Sequence, residues 1–513
     1  MKKILYKIIL TFTVFFISLY SCTKETIDLK PVGSLTLVGA FSDGNNTTLT
    51  LNGVYNSLAE LAAGTQNFMT AIEIKSDDAF DAYDRTAIFK LDTETPNNII
   101  ILSTWSSLYT TIQRANLVIS KINTVPFTTD ELTAGLKESI EGQALFLRAL
   151  SYYWLVNFWG GVPLITEYSE NPEASQIAQS SISDVYAQIK KDLNDAAGLL
   201  LPKSSMNGSN GFERGRATKG AAYALLAEVD LNLAEWQEAV DATNMVINST
   251  EYNLRTGADY QKNFRGLDEN GLESIFEIQY GTSLNGPTSG LSECYAVMQA
   301  PGLIGQAFFG SPCTNDIMDL PGYKGTSGNG LMQEWENGDI RKDIALTTFG
   351  VPNSIDPAKQ PLWLPYKYFT DQPNSNGSSW INYVVLRYTR TLLTKAEALN
   401  ELTGGNPEAV TIINSMRSRA GLDPLPVNVS SDQNLFREAI WKERRLELCY
   451  EGSRYIDLLR TGRYIPILEG IQGISVPRSR LIQNPFTQMD WYLWPIPQTE
   501  LNINPKLKQN PGY

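Results

Sequence analysis

The 513-residue sequence contains no histidine. That absence excludes Ser-His-Asp and Cys-His catalytic groups, which need an imidazole to take the proton of the nucleophile, and every metal site with imidazole ligands. Hydrolysis by a pair of carboxylic acids stays open, because glycosidases of that kind need only Asp and Glu.

Cysteine is scarce as well, with four residues in the whole chain. Cys294 and Cys313 share a stretch rich in Gly and Pro, and both a disulfide and its absence remain open there. Cys449 lies in a helical pattern and is expected to be a buried thiol. The remaining one, Cys22, belongs to the N-terminal segment discussed below.

Basic residues are outnumbered, with 42 Lys and Arg against 55 Asp and Glu and a formal net charge of −13. This balance argues against nucleic acid, whose binding needs neutralisation of phosphates, and against electrostatic docking on anionic lipid. Hydrophobic residues make up 42% of the chain, so we expect a globular protein with a substantial core.

The first 22 residues follow the pattern of a bacterial lipoprotein signal. Lysines precede an apolar stretch at Ile8–Ile17 that is short for a bilayer span, and Leu19 and Ser21 lead into Cys22. We expect residues 1–21 to be cleaved and Cys22 to carry the acyl chains of a membrane anchor. An ordinary secretory signal with a chance cysteine is the alternative.

Helical periodicity dominates the rest of the chain. Residues 22–45 are polar and irregular and are predicted to form a lipidated tether, after which apolar stripes predict helices. These helices are expected around residues 51–62, 105–119, 136–155 and 185–196, the third ended by Gly160, Gly161 and Pro163 and the fourth capped by Ser181 or Ser183.

Two later helix pairs resemble one another. The first is Ala217–Leu233 with Trp236–Ile247, and the second is Tyr388–Leu402 with Pro407–Arg419. Small residues stand where the helices would cross, as in tetratricopeptide-like hairpins. Two unrelated amphipathic hairpins would give a similar pattern. A further hairpin is predicted at residues 433–459.

Between the two pairs lies a different region, residues 251–385, rich in Gly, Pro, Asn and aromatics. A strand is predicted at Ser274–Tyr280. Loop-rich insertions on a rigid scaffold are common places for binding surfaces.

Several motifs, taken in chain order, resemble those of one family. They are Arg148-Ala149-Leu150 leading to Gly161-Val162-Pro163-Leu164; Arg387-Tyr388, Ala396-Glu397-Ala398 and Arg419-Ala420-Gly421-Leu422; Glu443-Arg444-Arg445-Leu446-Glu447-Leu448, Glu451-Gly452, Arg454, Asp457-Leu458-Leu459-Arg460 and Gly462; and Trp494-Pro495-Ile496-Pro497 with Gln509-Asn510-Pro511-Gly512-Tyr513. Together they span nearly the whole chain after the signal.

On these motifs the chain resembles the SusD/RagB family of outer-membrane lipoproteins from Bacteroidetes. The resemblance implies a mostly α-helical fold, with about four tetratricopeptide-like hairpins on one side and a loop-rich, short-strand region forming the ligand face. It predicts one domain over residues 46–513, divided into helical parts at 46–250 and 386–513 and the insertion at 251–385.

The resemblance also implies a role without catalysis. Family members sit on the cell surface over a TonB-dependent (SusC-like) transporter of the outer membrane, bind a polymer, usually a glycan, and act as a lid that delivers it. A peptide or another nutrient as cargo is the alternative within the family. A surface glycosidase and a pure protein-binding scaffold are the alternatives outside it. No cofactor is expected.

The charged motif at Glu443–Arg460 looks at first like a catalytic or phosphate-binding cluster. Its acidic and basic residues have spacings that allow ion pairs between neighbouring turns of one helix. We interpret them as scaffold pairs, and we interpret Arg148 and Trp105 as structural too.

Ligand residues are expected among loop aromatics, because a flat ring stacks on the apolar face of a pyranose while polar neighbours bind its hydroxyls. The loop Asp77–Asn98 and the insertion qualify, the latter also holding Tyr280, Trp335 and Tyr366. Burial in the core is the alternative for each. The predicted ligand residues are Phe80, Tyr83, Arg85, Tyr295, Phe308 and Trp363.

Two oxygen-rich turns, Asp43-Gly44-Asn45 and Asp268-Glu269-Asn270-Gly271, lack the spacing of a calcium loop. Ordinary turn chemistry accounts for both, and no metal is predicted.

Overall fold

The computed structural model describes residues 36–62, 68–78, 94–209, 211–280, 331–347, 364–368, 381–470 and 475–513. These residues form a mostly helical fold with short strands. The helices are α1 Leu37–Ala40, α2 Gly44–Ala59, α3 Phe68–Ile74, α4 Ile99–Lys121, α5 Thr129–Thr133, α6 Leu136–Trp159, α7 Ile182–Leu199, α8 Lys219–Asn232, α9 Trp236–Ile247, α10 Leu331–Glu334, α11 Arg341–Ala345, α12 Tyr388–Leu402, α13 Pro407–Arg419, α14 Val427–Ser430, α15 Gln433–Leu448, α16 Arg454–Arg460, α17 Tyr464–Glu469 and α18 Gln498–Ile503. The strands are β1 Ser274–Ile278, β2 Leu346–Thr347, β3 Leu364–Pro365, β4 Tyr383–Arg387, β5 Leu481–Gln483 and β6 Asp490–Tyr492.

The long helices pack side by side in a continuous row. From α2 the row runs through α4, α6, α7, α8 and α9 to α12, which also contacts α13 and α15. The predicted pairs α8–α9 and α12–α13 are both present as neighbours, and buried alanines such as Ala224 and Ala396 line them. This arrangement is consistent with tetratricopeptide-like hairpins.

Polar caps set where these helices begin. Asp43 accepts a hydrogen bond from the backbone of Asn46 at the start of α2, and Ser181 accepts one from Asp184 at the start of α7. Each cap satisfies a backbone N–H group that has no partner inside the helix. Of the two predicted caps for α7, Ser181 is therefore the one used.

Helix α6 runs through the centre of the molecule and is buried along most of its length. Its last turn meets the C-terminal tail: the backbone N–H of Trp494 donates to Phe158 at 2.7 Å, and the Trp159 indole donates to the Pro495 carbonyl at 2.9 Å. The rings of Phe158, Trp159 and Trp494 contact one another with centroids 4.8–6.3 Å apart. The end of α6 and the C-terminal tail thus share one aromatic core.

The main strand pair joins the insertion to the C-terminal helices. Strand β1, predicted from the sequence, pairs antiparallel with β4, which no sequence pattern indicated. Both strands are buried over all five residues, so they lack the alternation of a half-exposed strand. Beyond β1, the backbone N–H of Tyr280 donates to Asn382 Oδ1 at 2.8 Å.

The fold begins earlier than the predicted tether allowed. Helix α1 precedes residue 46, and Ala40 and Phe41 pack against Val125 in a small buried cluster. Residues 37–45 therefore belong to the folded domain, because their few apolar side chains find a partner too distant in sequence to be read from composition. Within the described ranges, every helix is too short or too polar to cross a bilayer.

Candidate ligand-binding site

All six predicted ligand residues lie outside the described parts of the chain, as do Cys22, Cys294 and Cys313. Phe80, Tyr83 and Arg85 belong to segment 79–93, Tyr295 and Phe308 to segment 281–330, and Trp363 to segment 348–363. What the structure does give is the position of the residues that flank these segments.

A single buried guanidinium connects two of these flanks. Arg445 Nε donates to Asp78 Oδ1 at 2.8 Å, at the last described residue before segment 79–93. Its Nη1 lies 3.7 Å from Glu334 Oε1, four residues after the segment that ends at 330. Arg454 adds a bidentate pair with Asp77 at 2.7 and 2.9 Å. We call Asp77, Asp78, Glu334, Arg445 and Arg454 the Arg445 junction.

The arginines of this junction oppose the effect of burial on its two aspartates to different extents. Burial alone raises the pKa of the Asp77 carboxyl, but Arg445 and Arg454 outweigh it and hold that pKa well below its usual range. Burial raises the pKa of Asp78, which has Arg445 as its single guanidinium partner and Asp77 as a like charge beside it. A buried pair of this kind is costly to break, since removing one partner leaves the other charge uncompensated.

Apolar contacts support the same region. Leu331 and Trp335 share a buried cluster with Leu446 and Tyr450 from the end of α15 and the turn after it. The Tyr450 hydroxyl donates to the Asp78 carbonyl at 3.3 Å. The flanks of segments 79–93 and 281–330 therefore meet over one face of α15.

The other flank of segment 79–93 is fixed independently. Lys75 and Glu94 form an ion pair whose two side chains are fully buried. Glu94 also accepts hydrogen bonds from the hydroxyls of Tyr492 at 2.8 Å and Tyr513 at 3.2 Å. Burial lowers the pKa of the Lys75 ammonium, and Glu94 opposes that shift.

A second buried network lies beside the junction and anchors the stretch that follows Trp363. Glu447 contacts Arg341 at 2.9 Å, Arg387 at 2.9 Å and Arg419 at 2.7 Å. Lys367 donates to the Glu447 carbonyl at 2.7 Å. Burial opposes the ionised form of Glu447, but the three guanidiniums outweigh it and hold its pKa well below the usual range.

The interpretation of Glu443–Arg460 as scaffold pairs and helix-end contacts is supported, although the spacing did not show which elements are paired. The buried residues of this motif pair mainly with other elements and not between turns of one helix. Arg444, for example, contacts Glu228 of α8 at 2.9 Å and Asp457 of α16 at 2.9 Å. The structural roles of Arg148 and Trp105 hold as well: Arg148 makes a bidentate pair with Asp192, and Trp105 is buried.

Two aromatics considered for ligand binding are core residues. Tyr280 is buried and its hydroxyl donates to the Ala59 carbonyl at 2.8 Å, and Trp335 belongs to the cluster against α15. Tyr366 is partly exposed, but the Arg265 guanidinium covers its ring at 4.4 Å. Composition could not separate these residues from exposed ones, because their burial depends on helices distant in the chain.

Cys449 is a free, buried thiol, as predicted. Asp43 caps α2, and Asn270 forms part of a turn in which its N–H donates to the Glu277 carboxylate. Across the described ranges, no group of three or more Cys, Asp or Glu side chains could hold a metal ion.

Comparison with known proteins fits this architecture. The family model "SusD family" matches residues 342–513, and the model "Starch-binding associating with outer membrane" matches residues 40–231. "SusD-like protein P2" of Formosa agariphila is 29% identical to this chain over 542 residues, covering 100% of both chains.

Solved structures of two proteins have the same fold as this chain. The structure of a "Laminarin binding SusD-like protein" has a TM-score of 0.71 and 26% identity, covering 92% of this chain and 100% of its own. "Surface glycan-binding protein A" from Bacteroides thetaiotaomicron shares the fold with a TM-score of 0.69 at 22% identity, over 92% of this chain and 100% of its own.

The row of packed helices and the buried strand pair match a SusD-type fold. The chain belongs to the SusD/RagB family.

Proposed function

We propose that this protein is a cell-surface lipoprotein that binds an oligo- or polysaccharide without cleaving it and passes it to a TonB-dependent outer-membrane transporter. The observation that carries the binding proposal is the Arg445 junction. It holds together the flanks of segments 79–93 and 281–330, which contain five of the six predicted ligand residues.

Trp363 completes this proposal, because the residues directly after it are tied to the same face. Strand β3, which begins at Leu364, pairs with β2, and Leu346 of β2 packs in the cluster with Tyr450. Segments far apart in sequence thus leave the scaffold close to one another. A pyranose requires a surface of aromatic rings and hydrogen-bonding groups, and the sequences of these segments contain both.

The choice of glycan over peptide rests on relatives. One structure at 26% identity is described as laminarin binding, and the family model that matches the N-terminal half is described as starch binding. The outer membrane is supported by that same description and by the lipoprotein pattern ending at Cys22. The transporter as partner is supported by the family resemblance.

Affinity electrophoresis tests the binding proposal. The chain from residue 23 onward is run through gels containing laminarin, starch or other polysaccharides, and we expect retardation by at least one of them without release of shorter products. Tyr83→Ala and Tyr295→Ala should weaken that retardation, because each removes a stacking ring. Tyr168→Ala, a partly exposed tyrosine elsewhere, is the matched control.

The outcomes separate the candidate functions. Retardation that survives both tyrosine substitutions would remove these residues from the site. Product release would mean a glycosidase, and failure with every polysaccharide would shift the proposal to peptide cargo.

The anchor and the partner are tested in cells. Cys22→Ser should release the protein from the outer-membrane fraction, since no acyl chains could be attached. Deletion of the proposed partner transporter should abolish uptake of the bound glycan, and uptake that continues would contradict the proposed transfer.

A further inference from the structure

Two clefts open on the described surface away from the Arg445 junction. One, of about 380 Å³, lies between α2, residues 213–216 and the end of β1. The other, of about 360 Å³, lies between residues 203–206, 214–218 and 270–275. The segment Arg214-Gly215-Arg216 lines both, so it forms their common wall. Each volume is in the range of small-ligand sites.

The floor of the first cleft is rigid. The Tyr55 hydroxyl donates to Gln143 Oε1 at 2.8 Å and accepts from the Ala217 N–H at 2.9 Å, which fixes the ring. Arg216 lies over that ring, 5.7 Å from its centroid, and pairs with Glu213. These groups satisfy one another and present a preformed surface.

The backbone of the common wall has a special conformation. Gly215 has a φ of +93°, and a Cβ at this position would meet the Gln279 side chain at 2.4 Å. The positive φ favours glycine here, because other residues rarely adopt this backbone conformation. The wall therefore lies directly against Gln279 and separates Arg214 from Arg216.

Polar side chains at the rim of the clefts have fewer hydrogen-bond partners within the protein than those of the floor. Arg216 Nη2 donates to Asn52 Oδ1 at 2.8 Å, which leaves the Asn52 amide N–H groups available. Asn56, one turn further along α2, lines the same cleft. In the part of the chain that the structure describes, Arg214 is exposed and is the one arginine whose guanidinium has neither a hydrogen bond nor an ion pair.

The charge of the wall contrasts with that of the chain. Arg214, Arg216 and Lys203 line the clefts against Glu213 and Glu251, so the lining carries an excess of positive charge in a protein whose net charge is −13. Glu213 and Glu251 are already engaged, by Arg216 and by the backbone and hydroxyl of Ser204. The uncompensated group is Arg214.

We propose that these clefts form a second carbohydrate site, which binds an anionic sugar unit through a carboxylate or sulfate ester on Arg214 and through hydroxyls on Asn52 and Asn56. The guanidinium fork matches either anion with two parallel hydrogen bonds. The amides can each donate and accept, as neighbouring ring hydroxyls require. This inference rests on the proposed glycan-binding function and adds a charge requirement to it.

Titration calorimetry of the full chain in detergent micelles tests the site with three probes: tetragalacturonate, a sulfated carrageenan tetrasaccharide and neutral maltotetraose. We expect at least one anionic probe to bind, and Arg214→Ala to weaken it about tenfold, since a charge-assisted hydrogen bond is lost. Asn56→Ala should weaken it less. Arg478→Ala, which removes another exposed guanidinium, is the matched control and should leave binding unchanged.

Binding of an anionic probe should also fall as salt is raised, because an exposed ion pair is screened. The inference is overturned if neither anionic probe binds, or if Arg214→Ala binds as tightly as the unmodified protein. Binding of an acidic peptide in place of both sugars would likewise overturn it. If Arg214→Ala leaves the binding of every anionic probe unchanged while Tyr83→Ala abolishes polysaccharide retardation, this site is rejected and the proposed function stays intact.

Discussion

At the scale of single residues, Glu269 carries a titration within the physiological range. Burial raises the pKa of its carboxyl to about 7, and the nearby Glu277 adds to the shift while the Asn382 N–H, at 2.8 Å, opposes it. The folded value lies above the ordinary 4.5. Its contribution to stability is therefore fully present below pH 4.5 and is lost as the pH rises through 7.

Glu269→Gln should remove this loss, because the amide keeps an acceptor for Asn382 without a charge to bury. At pH 8 we expect the variant to melt at a higher temperature than the unmodified protein. The gain in unfolding free energy should be no more than about 1 kcal/mol, because Glu269 is partly exposed. At pH 5 the two proteins should melt at similar temperatures. Thermal unfolding at both pH values measures the effect. Exposed Glu238→Gln should show no such pH dependence.

Burial also makes the Cys449 thiol unreactive. Burial raises the pKa of its thiol to about 12, so almost no thiolate, the reactive form, exists at neutral pH. Iodoacetamide should leave the Cys449 peptide unmodified in the native protein and modify it in urea, as read by mass spectrometry. Modification under native conditions would contradict its packing against Trp335 and Tyr450.

At the scale of elements, helix α15 concentrates the charges that hold the fold together. Glu447 contacts three arginines that come from α11, the end of β4 and the end of α13. Glu447→Gln leaves those guanidiniums short of a buried counter-charge. We expect it to cost roughly 3–5 kcal/mol of unfolding free energy, measured by urea denaturation.

Glu438→Gln is the control for this prediction, because Glu438 lies on the same helix with its side chain exposed. It should change the unfolding free energy by less than about 0.5 kcal/mol. Equal effects of the two substitutions would mean that the Glu447 network contributes nothing beyond local helix electrostatics.

The helices and strands also show how much of the fold could be predicted from the sequence. Apolar periodicity predicted α4, α6 and both helix pairs, because the buried residues of each helix recur at helical spacing within its own segment. It did not predict β4, whose five buried residues have no alternation. It also could not give the partners of the charges in Glu443–Arg460, because Arg445 contacts Asp78 only through the packing of the whole chain.

The cleft between α2 and residues 213–216 could not be predicted from the sequence for the same reason. Asn52 and Asn56 are one helical turn apart on an exposed face, which is the only local signal that the sequence offers. Their combination with Arg214 depends on a loop more than 150 residues away, so no spacing rule could place the three together.

At the scale of the whole molecule, the C-terminal tail closes the fold. The Asn510 side chain donates to the Trp159 carbonyl at 3.0 Å and to the Trp494 carbonyl at 2.7 Å, both buried. Asn510→Ala removes both of these buried hydrogen bonds and should cost about 1–3 kcal/mol of unfolding free energy. Thermal unfolding checks this, with exposed Asn502→Ala as the control, and an unchanged melting temperature would show that the tail is dispensable.

The buried attachments at Asp78 and Glu94 have a consequence for engineering and for evolution. Residues 79–93 begin and end at points held by partners that belong to the scaffold, Arg445 on one side and Lys75 on the other. If the segment binds the ligand as proposed, a stretch taken from a relative and grafted between the same two anchors should change the preferred polymer without any redesign of the helices beneath.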